Sequence, residues 1–142
     1  MWLRITFFLF LIILPQACAR RDPAVESLIG SEPQRLSFGP PPEVQRAFVE
    51  KMKLCWFSGT HSLLPGYRYE TGEREDGGSG EGYQDVKIFD PDGEAPVFEI
   101  QFHKYNDNTL IVTRNVSLAS ALVTKVKRDI QLWALAGPDC SS

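Results

Sequence analysis

The chain has 142 residues, with 15 Lys and Arg against 18 Asp and Glu and a formal net charge of −3. A mildly acidic chain with no basic stripe is a poor ligand for a phosphate backbone, so nucleic acid is excluded as a partner. Three cysteines and two histidines at irregular spacing provide no paired metal ligands and little material for acid–base work near neutral pH, so neither a metal nor any other cofactor is expected.

Residues 1–19 read MWLRITFFLFLIILPQACA: one basic residue, Arg4, an apolar run over residues 5–14, then Pro15 and the small tripeptide Ala17, Cys18, Ala19. This is the layout of an export signal with a small-x-small cleavage site. The run is too short for a membrane span, which needs about 20 apolar residues. Export to the periplasm or cell envelope follows. Cys18 sits after a small residue, as the acylated cysteine of a bacterial lipoprotein signal does, although Pro15 stands where such signals usually carry Leu. Lipid anchoring at Cys18 and cleavage after Ala19 therefore both stay open, and a lipid on Cys18 would be the link to a membrane. Loss of residues 1–19 removes Arg4 alone among the charged side chains and takes the net charge to −4.

Residues 20–39, RRDPAVESLIGSEPQRLSFG, mix charges, Ser and Pro with scattered apolar residues. Such a segment cannot bury a core of its own and reads as a disordered tether. A single domain over residues 40–142 follows it. Pro40, Pro41 and Pro42 suit a first helical turn. Val44, Ala47, Phe48, Met52 and Cys55 then fall on one helical stripe, and Ser58 and Gly59 end the helix. Pro65 and Gly66 turn the chain into a short strand over residues 67–70.

Residues 71–82, TGEREDGGSGEG, hold five glycines and four acids with no large apolar side chain. They read as an exposed, mobile loop; the acids do not follow a calcium-loop order and no Lys follows the glycines. Strand-like runs follow over residues 85–89, 97–105 and 110–114, joined by the turn clusters Asp90-Pro91-Asp92-Gly93 and Asn106-Asp107-Asn108. An antiparallel meander is the natural assignment. Phe98, Ile100 and Phe102 alternate with Glu99, Gln101 and His103, so one face of the sheet is apolar and the other wet. Ser117 reads as the N-cap of a last helix carrying Ala119, Leu122, Val123, Val126, Ile130 and Trp133 on one face and Lys125, Lys127, Arg128 and Gln131 on the other. Gly137 and Pro138 end it. The expected fold is α+β: helix, four-stranded antiparallel sheet, helix, with both helices on one face of the sheet.

Cys55 and Cys140 remain whichever way the signal is processed, and in an oxidising compartment they most simply form one disulfide. Cys55 in LCWFSGTH could instead be a nucleophile with His61 as its base. A thiol at a helix C-terminus faces negative partial charge, which raises its pKa and opposes that chemistry. Asn115-Val116-Ser117 forms an N-x-S tripeptide, but Ser117 already has a capping role.

CWF at Cys55, the aromatic GYRYE at Gly66 and DIQLWALAGPDC from Asp129 to Cys140 together resemble a group of small exported proteins of proteobacteria, often read as lipoproteins. That group has a mid-chain CW, a GY about ten residues on and a final helix ending in Cys. The resemblance covers residues 44–140 loosely; it implies location and fold and names no reaction. The expected role is non-catalytic binding or structure in the cell envelope, with another envelope protein or the cell wall as partner. The other reading is a small periplasmic enzyme or ligand carrier with a site between the sheet and the acidic loop, built from His103, Glu99 and Tyr105.

Overall fold

The computed structural model describes residues 35–75, 82–137 and Cys140. The export signal over residues 1–19, lipidation at Cys18, the tether over residues 20–34, the loop tip over residues 76–81 and Pro138 lie outside the described residues. The elements are β1 (Arg35–Phe38), α1 (Pro41–Met52) continued by a π-helical turn (Lys53–Phe57), β2 (Arg68–Glu75), β3 (Gly82–Phe89), β4 (Pro96–Tyr105), β5 (Asn108–Asn115) and α2 (Ser120–Ala134). The strands form one antiparallel sheet in the order β1-β5-β4-β3-β2. The fold is thus α+β, with five strands where the sequence pattern gave four.

The additional strand is β1, inside the segment read as tether. Arg35 pairs with Ile111 and Phe38 with Asn108 along the edge of β5, and the hydroxyl of Thr109 donates to the carbonyl of Gly39 at 2.7 Å where the chain leaves the sheet. A four-residue edge strand whose two apolar side chains point away from the core gives no burial signal in sequence. The expected loop over residues 71–82 also contracts. β2 continues to Glu75, which pairs with Gly82, so residues 71–75 and Gly82 are strand rather than mobile loop.

α1 begins at Pro41 as the proline run implies, with the amides of Glu43 and Val44 donating to the carbonyl of Pro40 at 3.1 Å. Val44, Phe48, Met52 and Cys55 are buried, while Ala47 is exposed. The wide π-helical turn brings two consecutive residues, Cys55 and Trp56, into the core. Its last carbonyls are satisfied by the returning loop, Leu63 N–H donating to Cys55 at 3.2 Å and Leu64 N–H to Trp56 at 2.8 Å.

Both helices pack on the face of the sheet that carries Val86, Ile88, Phe98, Ile100, Phe102 and Ile111, all fully buried. Phe48 of α1 links the layers, meeting Phe102 edge-on at 5.3 Å and Trp133 of α2 at 5.7 Å.

Ser117 is not the N-cap of the last helix. That position is Ala119, without a side-chain cap. Asn115 fixes the approach instead, its side-chain oxygen accepting from Leu118 N–H at 3.0 Å and its amide donating to Leu118 C=O at 3.2 Å. α2 ends through a left-handed residue, Ala136 with φ 54°. Gly137 N–H then donates to Leu132 C=O at 2.8 Å, and a Cβ at Gly137 would come within 2.7 Å of that oxygen.

Candidate functional site

LCWFSGTH resolves into structure first. Cys55 is bonded to Cys140 with the Cα atoms 5.5 Å apart, so the sulfur near His61 is a disulfide rather than a thiolate. Next to the bridge, the indole N–H of Trp56 donates to the Asp129 carboxylate at 2.7 Å. Both residues are buried, and this bond joins the end of α1 to the middle of α2. A cleft of about 530 Å3 opens beside it, lined among others by Leu54, His61, Lys125, Asp129 and Cys140. Its sulfur atoms are spent in the bridge and its carboxylate is committed to an indole. That leaves the recess without a free thiol from Cys55 or Cys140, its remaining polar lining including Ser58, Thr60 and His61.

The face of the sheet opposite the helices carries Glu99, His103 and Tyr105, as their alternation with the buried aromatics requires. The three do not converge. Glu99 and His103 are four residues apart along one strand, roughly 13 Å at the usual rise. Three cavities, beside the disulfide, between β1 and α2, and between α1 and α2, are lined by none of the three. Each has local company instead. The His103 ring stacks on Tyr83 with centroids 4.7 Å apart, and its Nε2 lies 3.1 Å from the Gln101 side-chain oxygen. Glu99 lies across from Lys87 and Arg114, with the Arg114 guanidinium 3.7 Å from its carboxylate. Tyr105 is 54% exposed.

A second acid on this face escaped the sequence reading. Asp85 is buried on the sheet face that neither described helix covers: Arg74 Nε donates to it at 2.9 Å and Lys87 Nζ lies 3.8 Å away. The bond with Asp85 raises the Arg74 pKa above its ordinary value. Room for that carboxylate exists because residue 72 is Gly; a Cβ there would fall 2.5 Å from Asp85 Oδ1. The alternation of Asp85 with Val86 was visible in sequence, but its partner Arg74 lay in the segment read as loop.

The registers arrange these side chains in rows. One row runs Leu36, Leu110, His103, Tyr83, Arg74; the next runs Val112, Gln101, Asp85, Gly72. At the β1 corner the surface is apolar and aromatic: Phe38 is 82% exposed, Leu36 46% and Tyr105 54%. Toward β2 it is charged and internally paired. Neither Leu36 nor Phe38 was a candidate in the sequence, because both lay in the presumed tether.

Among the described residues no group of three or more His, Cys, Asp and Glu could hold a metal ion, and no helix is long and apolar enough to cross a membrane. Comparison with family models, with curated proteins and with solved structures finds no match to this chain.

Proposed function

We propose that the protein is a small exported, disulfide-stapled domain of the cell envelope that acts by binding, without catalysis, through the open face of its sheet. The observation that carries this reading is the sheet face that neither described helix covers, with Phe38, Leu36 and Tyr105 exposed together at one corner beside the stacked Tyr83 and His103. Single exposed apolar residues are ordinary, but several clustered on one flat surface are a mark of interaction sites. Aromatic side chains are enriched at the centres of interfaces, because they bury large area at low entropic cost. The paired charges toward β2 form a polar rim on the same surface. Export rests on the layout of residues 1–19 and agrees with a disulfide between the two cysteines that follow it. The partner class is another envelope protein or the cell-wall polymer.

The test uses a photo-crosslinking amino acid placed at Tyr105, at Leu36 or, as a control on the helical layer, at Lys125, in the full chain expressed in its native host. Adducts from the two sheet-face positions with none from Lys125, and co-sedimentation with the envelope fraction, are expected. Adducts confined to Lys125, or a chain recovered wholly in the cytosol with its first 19 residues intact, would refute the reading. Intact mass of the recovered protein distinguishes a lipid on Cys18 from simple cleavage after Ala19.

A further inference from the structure

The disulfide has one reachable half. Cys140 is exposed, whereas Cys55 is 8% exposed and belongs to the core. The cleft of about 530 Å3 beside the bridge takes both half-cystines into its lining, together with Leu54 and His61. From this geometry we infer that the bridge is a redox-sensitive latch that opens from one side: an external thiolate attacks the sulfur of Cys140, and Cys55 is the leaving group.

Access decides which sulfur is attacked. An incoming thiolate must line up with the S–S bond on the far side of its target sulfur. Burial of Cys55 closes that approach at one end of the bond, and exposure of Cys140 leaves it open at the other. The cleft lies within the usual range of small-molecule pockets, about 300 to 1,000 Å3, so it admits a thiol the size of a short peptide. In the first step the external sulfur bonds to Cys140, and the electron pair of the broken S–S bond goes to Cys55. That sulfur takes a proton from water entering by the cleft. In the second step another external thiolate attacks the external sulfur of the adduct, and Cys140 leaves with the electron pair and is protonated in turn. Two electrons and two protons have then passed to the bridge from two external thiols, or from one dithiol, whose sulfurs end as a disulfide.

The surrounding bonds limit what the opening releases. Two links from the first helical segment to the C-terminal part of the chain do not pass through sulfur: the Trp56 indole donates to Asp129 at 2.7 Å, and the Lys51 ammonium donates to the carbonyl of Gly137 at 2.9 Å. The end of α2 is also closed on itself by the Gly137 N–H on Leu132 C=O. Phe48 still packs between Phe102 of the sheet and Trp133 of α2. These contacts hold α2 in place as far as Gly137 once the bridge is cut. Opening therefore frees the chain end that carries Cys140 and uncovers the sulfur of Cys55 to the cleft, while the two-layer core persists. A latch needs that combination of a tie that can be cut and a fold that survives the cut. The bridge joins the ends of the helical layer, so the inference does not rest on the open sheet face as a binding surface.

The experiment treats the folded, oxidised chain at room temperature with glutathione, a small monothiol, and separately with dithiothreitol, a dithiol. Samples are quenched with N-ethylmaleimide and the modified cysteines located by peptide mass. Glutathione should be found on Cys140, with N-ethylmaleimide on Cys55. Doubling the thiol should double the rate, and urea below the unfolding transition should leave the rate unchanged, because the reaction proceeds from the folded state. The opened protein should keep a cooperative thermal transition. Capture of glutathione identifies a small thiol as sufficient, and reaction with dithiothreitol alone identifies a dithiol; either supports the latch where the rate follows the thiol and not the urea. Glutathione on Cys55, a rate that saturates with thiol and climbs with urea as global unfolding does, no reaction with either probe, or an opened protein without a cooperative transition would overturn it.

Discussion

Replacing Cys140 by Ser isolates the disulfide from the packing around it, because Cys140 is exposed whereas Cys55 is 8% exposed and belongs to the core. The bridge joins positions 85 residues apart. In the chain-entropy treatment, a loop of that length removes about 15 cal/mol/K from the unfolded ensemble, or about 4.5 kcal/mol near room temperature. A domain of about 100 residues unfolds with an entropy near 0.2 kcal/mol/K at its midpoint, so the loss corresponds to a fall in Tm of about 20 °C. Thermal unfolding followed by circular dichroism should give that fall for Cys140→Ser. Wild type in excess reductant should melt with the variant. A variant that melts within about 3 °C of the oxidised wild type would refute the reasoning, and a count of two free thiols in the folded wild type would show that the bridge is not made.

Gly72→Ala places a methyl group where the Asp85 carboxylate lies and should cost about 1 to 3 kcal/mol by breaking the bond from Arg74; in an Asp85→Ala background the same change should cost much less, which urea unfolding of the four proteins would reveal. Ala136→Gly relieves a non-glycine residue at φ 54° and should stabilise by about 1 kcal/mol, raising Tm by about 5 °C. Trp56→Phe keeps the ring packing but takes the indole donor from buried Asp129; a loss of about 1 to 3 kcal/mol is expected. Asp129→Asn, which retains an acceptor oxygen, should lose less in the same denaturant assay.

The parts of the fold legible in the sequence are those where burial imposes a period. Phe98, Ile100 and Phe102 could face the helices only by alternating with Glu99, Gln101 and His103, and the stripe from Val44 to Cys55 and that from Val123 to Trp133 could face the sheet only as helices. The open face was legible as polar, yet its organisation was not. β1 contributes no buried apolar residue, so nothing in RLSF separates it from the residues before it. Gly72 carries the same lesson in reverse. Among the other glycines of residues 71–82 it reads as flexibility, whereas its role is steric: a hydrogen in place of a side chain lets Asp85 lie flat on the sheet. Asn115 was obscured by a better-known signal, since Ser117 is the stronger capping residue by type but sits three residues before the helix begins.

The two edges of the sheet bear on how a partner could approach. β2 presents Arg68, Glu70, Glu73, Arg74 and Glu75 along eight residues, and charges on an edge strand oppose pairing with another chain. β1 carries exposed Leu36 and Phe38, but it is four residues long and is followed by Gly39 and Pro40, which confines any strand added there to a few hydrogen bonds. Edge-to-edge pairing is therefore disfavoured at both sides, and side-chain contact across the open face is the mode of binding that the surface leaves available.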